Sequence, residues 1–225
     1  MSNLVIRKVA VLGAGVMGAQ IAAHLVNAKV PVILFDLAAA EGSKNAIVEK
    51  SLAGLKKLSP APFGSSAHSA YVEAANYETD LEKLSECDLV IEAIAERMDW
   101  KHDLYAKVAP HLAAHAIFAS NTSGLSITEL SNGFSDDLKA RFCGVHFFNP
   151  PRYMHLVELI PTATTAADTL DKLESFATTT LGKGVVRAKD TPNFIANRVG
   201  VFSILAVMAE AEKFGLSFDV VDDLT

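Results

Sequence analysis

Cysteine is scarce in this 225-residue chain, with two residues, Cys87 and Cys143, far apart and outside any Cys-x-x-Cys spacing. That excludes a disulfide scaffold or zinc ribbon and points to a reducing compartment. Positive charge is also thin: the formal net charge is −6, and no basic cluster is longer than Lys56-Lys57. Binding a phosphate backbone needs a concentrated positive face, so nucleic acid is not an expected partner. No apolar run reaches the ~20 residues of a membrane span. Met1 to Lys8 carries no charged-then-apolar leader with a small-residue cleavage site. The expectation is a soluble, cytoplasmic protein without internal repeats or low-complexity linkers.

Half of the residues are hydrophobic and 20% are charged, which excludes disorder. At ~100–200 residues per domain, the length suits one full domain and part of a second. Short apolar runs alternate with segments of helical period, the pattern of a parallel sheet covered by helices. Lys8–Leu12, Val32–Phe35, Asp88–Ile94, Ala116–Ala119, part of Ala140–Phe148, Leu156–Ile160 and Val185–Ala188 read as strands. Val16–Ala28 and Ala39–Leu58 read as helices, and Ser59–Ser69 as a loop. The expected fold is α/β, a doubly wound, mostly parallel sheet of Rossmann type, over residues 1–190. From residue 191 the composition changes. Asn193–Phe214 reads as one helix apolar on more than one face, which must be buried. Only about ten residues follow it. Residues 191–225 therefore read as the start of a helical substrate or dimerisation domain, truncated here, with the rest of that domain or a partner subunit as the cover.

Gly13-Ala-Gly-Val-Met-Gly18 is a GxGxxG that follows a strand and opens a helix, and Asp36 closes the next strand. In that context the motif predicts a dinucleotide site. Gly13 permits the turn, Gly15 lets the backbone approach a pyrophosphate, and Gly18 lets helix and strand pack, with the diphosphate near Val16 and Met17 at the helix N-terminus. A carboxylate at position 36 accepts from ribose hydroxyls and repels a 2′-phosphate, which favours NAD over NADP.

Further polar groups stand at expected strand ends: Ser120-Asn-Thr-Ser123, His146 with Asn149 close behind, and Glu158. Ligands of doubly wound sheets sit outside the carboxyl ends of the strands. Ser123 also reads as the N-cap of a helix over 126–131. A lone histidine among large apolar residues is commonly a core residue, but Glu158 follows within one strand–loop–strand excursion. A carboxylate on one ring nitrogen fixes the tautomer and leaves the other to exchange a proton. His111 and His115 read as sharing a helix face four residues apart, without a Glu or Cys to complete a metal site. Lys44, Lys50, Lys56 and Lys57 suit an anionic ligand or a solvated helix face.

Taken in order, the glycine motif, Asp36, Ile91-Glu-Ala-Ile-Ala-Glu96, Ser120-Asn-Thr-Ser123, His146-Phe-Phe-Asn-Pro150 and Asp190-Thr-Pro-Asn-Phe-Ile-Ala-Asn-Arg198 resemble the L-3-hydroxyacyl-CoA dehydrogenase family over almost the whole chain. The resemblance implies NAD as cofactor and an acyl-CoA substrate. It implies His146 paired with Glu158 as the acid–base group, with Ser123 and Asn197 on the reacting oxygen. It also implies that Glu96, Lys101, Ser123 and Asn149 line the cofactor, and that Ser51 lies near the coenzyme A adenine. The 59–69 loop departs from the family pattern. Similar proteins often carry a fused enoyl-CoA hydratase, and the expectation here is a homodimer or association through the helical C-terminal region. Two other readings stay open: a relative acting on a free hydroxy acid or sugar acid, and a module that binds NAD without turnover.

Overall fold

Apolar runs with no polar alternation must be covered on both faces, and eight strands form one such sheet. A computed structural model describes residues 5–224; Met1–Leu4 and Thr225, on which the readings of the two chain ends partly rest, lie outside the described residues. The strands are β1 (Val9–Leu12), β2 (Val32–Asp36), β3 (Val72–Asn76), β4 (Leu89–Glu92), β5 (Ile117–Ser120), β6 (Phe142–Phe147), β7 (Leu156–Pro161) and β8 (Gly184–Arg187). Their order across the sheet is β3-β2-β1-β4-β5-β6-β7-β8. The first six run parallel, β7 runs antiparallel to β6, and β8 parallel to β7.

The helices are α1 (Val16–Asn27), α2 (Ala46–Leu55), α3 (Met98–Val108), α4 (Ile127–Leu130), α5 (Asp136–Ala140), α6 (Ala167–Thr179), α7 (Ala196–Phe214) and α8 (Phe218–Leu224). Alternate strand residues face opposite layers. Val9 and Val11 pack with Ile21, Leu25, Val48 and Leu173 of α1, α2 and α6. Ala10 and Leu12 pack with Leu104, Val108, Leu130 and Leu138 of α3, α4 and α5. The strand order reverses at β1, which pairs with β2 on one side and β4 on the other. A ligand crevice opens at that point, outside the carboxyl ends.

Three expectations need correction. The helix read over Ala39–Leu58 is confined to α2, because the chain turns at Gly42 (φ +75°) and the Ala39 N–H closes onto the Lys44 carbonyl. Asn45, at its start, spends its side chain on the edge strand, donating to the Ala74 carbonyl and accepting from Asn76. The strand β3 is absent from the expected set, and the expected loop ends in a 3₁₀ turn over Ser66–Tyr71. His111 and His115 share no helix face: His111 ends a 3₁₀ turn facing Glu82, and His115 lies beyond it on Asp88. The apolar helix α7, read as needing a cover from outside these residues, has only its Ala211 buried among the described residues. No helix among them is long and apolar enough to cross a membrane.

Candidate active site

The turn after β1 demands glycine at two positions. Gly13 has φ +103°, and a Cβ there would lie 2.8 Å from the Ala93 carbonyl oxygen. A Cβ on Gly18 would lie 1.8 Å from the Gly13 carbonyl oxygen, so helix and turn touch through bare backbone. Helix α1 begins at Gly15 with no side-chain cap, and a Cβ on Gly15 would meet nothing within 4 Å. Uncapped N–H groups facing open space at a helix N-terminus form an anion site; Val16 and Met17 make up its first turn.

The Asp36 carboxylate accepts from the Ala14 N–H at 2.6 Å and the Leu37 N–H at 2.7 Å, which fixes its orientation beside the turn. Each oxygen keeps a lone pair for a diol. A mostly apolar cleft of about 540 Å³ opens there, lined by Gly13, Gly15, Asp36, Leu37, Ile94 and Lys107. The chemistry of this donor set fits a dinucleotide: N–H groups for the diphosphate, a carboxylate for the ribose and apolar walls for the adenine. Ser51 of α2 donates its hydroxyl to the Ala14 carbonyl at 2.7 Å, so its proton supports the same turn.

At the far end of the crevice, antiparallel pairing sets His146 of β6 directly opposite Glu158 of β7. His146 Nδ1 lies 2.8 Å from Glu158 Oε2, with the side chains 4% and 0% exposed. Glu158 Oε1 accepts from the N–H groups of Ile195 and Ala196, both at 2.9 Å, so the same carboxylate anchors the start of α7. The turn before it carries two non-glycine residues in the left-handed region, Asn193 (φ 63°) and Phe194 (φ 46°). For a residue as bulky as phenylalanine that conformation is strained. It sets the buried Phe194 ring edge-on to the imidazole, 5.7 Å between centroids, while Phe148 packs at 4.4 Å. Asn197 stands in the first turn of α7, next to the residues that Glu158 holds.

The segment after β5 is pinned to this centre, because Asn121 Oδ1 accepts from the Phe147 N–H at 2.9 Å. Ser123 is not the cap of α4. Ser126 takes that place, accepting from the Glu129 N–H, and Asp190 accepts from Ser126, Ile127 and Thr128 around it. Burial pushes the Asp190 carboxyl up, but the bonds from Thr128, Ile127 and Ser126 outweigh it and hold it below the usual carboxylate range. Ser123 is exposed, and its backbone N–H donates to Glu96 at 2.7 Å. Glu96 also accepts from Thr122 and the Gly124 N–H, gathering this turn against the loop after β4.

Lys101 stands behind the cleft wall rather than in it: its side chain is 0% exposed, 2.5 Å from Glu92 and 3.7 Å from Glu96. Glu92, equally buried, accepts from the Ile94 N–H, Lys101, Tyr105 and Ser120 at 2.5–2.7 Å. The sequence reading assigned Glu92 no role. Its signal was a carboxylate closing a wholly apolar strand, which must find partners when buried. Asn121, Asp190 and Phe194 stand inside segments that the sequence marks, but nothing local assigns any of them a role of its own. Burial pushes the Cys87 and Cys143 thiols up to about 12, so both are inert core groups.

The strand order, the glycine turn at the switch point and the acidic end of β2 define a dinucleotide-binding domain of the dehydrogenase class. Comparison with known proteins narrows the class. The chain belongs to the family of the 3-hydroxyacyl-CoA dehydrogenase, NAD binding domain, whose profile matches residues 8–191. It is 46% identical over 221 residues to a Deinococcus radiodurans protein named as a probable 3-hydroxyacyl-CoA dehydrogenase, covering 98% of this chain and 64% of that one. It is 42% identical over 220 residues to a Rickettsia felis protein named as a fatty acid oxidation complex trifunctional enzyme, covering 97% of this chain and 31% of that one. The chain thus spans under two thirds of either relative. Among solved structures, (S)-3-hydroxybutyryl-CoA dehydrogenase from Ralstonia eutropha superposes with a TM-score of 0.76 at 32% identity, covering 95% of this chain and 74% of that one.

Proposed function

We propose that this protein catalyses NAD-dependent oxidation of L-3-hydroxyacyl-CoA to 3-ketoacyl-CoA, in fatty-acid β-oxidation or related acyl-CoA metabolism. The observation that carries the reading is the buried His146–Glu158 pair at the carboxyl edge of the sheet that also bears the glycine turn. When bound, the nicotinamide supplies the acceptor for the hydride leaving C3. Glu158 on Nδ1 leaves His146 Nε2 to take the hydroxyl proton, and the carboxylate stabilises the imidazolium that forms. Donors from Ser123 and Asn197 hold the oxygen as negative charge develops, an effect worth ~2.7–4 kcal/mol per donor in a comparable oxyanion site. Asn149 lines the cofactor directly, and Lys101 acts on it through Glu96. Ser51 keeps lone pairs to meet the CoA adenine.

Residues 191–225 are proposed to begin a second, helical domain through which copies associate. The exposure of Val199, Phe202, Ile204 and Leu205, at 58–71%, favours a second reading for residues 1–225 alone: a module that binds NAD with weak turnover. Open apolar surface beside the site admits water, which hydride transfer has to exclude.

The test is NADH oxidation with acetoacetyl-CoA, with free acetoacetate as competitor, on a chain completed to the length of its relatives. His146→Gln is expected to cut kcat by ~10²–10⁴ and leave NADH affinity nearly intact. Unchanged turnover removes His146 from the mechanism, and a preference for free acetoacetate removes the CoA ester.

A further inference from the structure

Gln20 lies one turn into α1, 6% exposed, and its amide nitrogen donates twice: to the Val16 carbonyl at 3.2 Å and to Asn149 Oδ1 at 3.1 Å. The two bonds fix the orientation of both amides. A main-chain carbonyl only accepts, so the Gln20 atom facing Val16 must be nitrogen. A nitrogen facing Asn149 must in turn meet oxygen. Asn149 Oδ1 is therefore held against α1, and its Nδ2, which carries two protons and whose lone pair is delocalised into the carbonyl, is turned to the other side of the amide. Asn149 itself is exposed. The tether joins residues 129 apart in the chain. One end is the helix whose N-terminus faces the open diphosphate space. The other lies three residues past His146, so the bond ties the helix of the anion site to the segment that follows the imidazole.

We infer that Gln20 is a positioning residue for the cofactor: it holds Asn149 as an obligate hydrogen-bond donor, so that this point of the site takes a ligand oxygen, a carboxamide or ribose oxygen, and refuses a ligand donor. The inference rests on the proposed reading of Asn149 as a cofactor-lining residue. Nothing local marks Gln20, which in sequence is one of three polar residues of α1, with His24 and Asn27.

The test is a double-mutant cycle on NADH affinity, read by fluorescence titration, with Gln20→Leu, Gln20→Glu, Asn149→Ala and the two doubles. Gln20→Glu keeps size and shape but only accepts, so Asn149 must turn its nitrogen inward and offer the ligand its oxygen. Losing one neutral hydrogen bond corresponds to about a fivefold change in affinity. Gln20→Leu is expected to weaken NADH binding about fivefold and Gln20→Glu by at least as much. In the Asn149→Ala background both are expected to change it less than about twofold, since interacting sites are non-additive. Equal losses in both backgrounds would overturn the inference, because they would mean that Gln20 merely supports α1. So would unchanged binding by Gln20→Glu. If Asn149→Ala leaves NADH affinity unaltered, the reading of Asn149 fails first and takes this inference with it.

Discussion

The sharpest energetic claim concerns Lys101 and Glu92, both 0% exposed and 2.5 Å apart. Each charge is held inside the protein chiefly by the other, with the more exposed Glu96 carboxylate 3.7 Å from Lys101 as a second anion. Lys101→Met replaces the stem with a chain of similar volume and leaves the carboxylate with three donors, the Ile94 N–H, Tyr105 and Ser120, but no cation within the interior. Glu92→Gln does the converse. Its amide oxygen keeps Lys101 and the Ile94 N–H, and its nitrogen donates to the Tyr105 and Ser120 hydroxyls, which rotate to accept. Every hydrogen bond then survives, and the buried countercharge is lost, leaving Lys101 only the half-exposed Glu96 at 3.7 Å.

Removing one partner of a buried pair costs about 3–5 kcal/mol, whereas replacing both by neutral groups of the same shape is often close to neutral. Each single variant should therefore lose about 3–5 kcal/mol, which for a chain of this length lowers Tm by roughly 6–20 °C. The double variant Glu92→Gln, Lys101→Met should be more stable than either single. Urea unfolding followed by circular dichroism, with the slopes compared, measures all four corners of the cycle. Additive losses, or singles that each cost under about 1 kcal/mol, would refute the reasoning, since a buried charge without its partner cannot be cheap.

Three further outcomes follow from the same geometry. Gly15→Ala should fold, because its Cβ meets nothing in the chain, and should lose NADH binding in fluorescence titration; Gly18→Ala should fail to give folded protein, its Cβ falling 1.8 Å from the Gly13 carbonyl oxygen. Burial, reinforced by Lys183 and Arg152, holds the His24 imidazole down at about 4. The ring is thus neutral in the folded chain while the unfolded chain takes up a proton below pH 6.5, so its share of stability is complete above pH 6.5 and is lost as pH falls toward 4, about 2 kcal/mol between pH 7 and pH 5. Urea unfolding of His24→Leu across that range should show a shallower acid loss than the parent, and parallel curves would contradict the assignment.

The parts of the fold that were legible in sequence are those where a single physical demand has one solution. Val9–Leu12 and Val32–Phe35 carry no polar face and belong in the middle of a covered sheet, which is where β1 and β2 lie. Gly13 and Gly18 stand where backbone touches backbone. The strand β3 was illegible because Val-Glu-Ala-Ala-Asn has little of the bulk that marks a strand; it is held at the sheet edge partly by the Asn45 and Asn76 side chains. The start of α2 was over-extended because helical period continues through residues whose φ values, at Gly42 above all, break the ladder.

The site divides along a different line, between contacts that follow from strand register and contacts that follow from the global path of the chain. Lys101 and Tyr105 stand four apart on α3 and so share a face, and Ser120 is the register partner of Glu92, yet only the packing of α3 against that sheet face brings the three together. Gln20 and Asn149 meet across most of the sequence with no periodic trace. The His146–Glu158 pair is the opposite case, and the reason is the reversed direction of β7. Directly opposed residues of an antiparallel pair carry their side chains on the same face, with Cβ atoms about 4.5–5.5 Å apart. A histidine at the carboxyl end of β6 and a glutamate shortly after the return are thereby brought within one hydrogen bond by register alone. A parallel neighbour in that place would need a crossover of a dozen or more residues before it could present the acid. The single antiparallel strand beside β6 is thus what lets two residues only twelve apart in the chain form the pair.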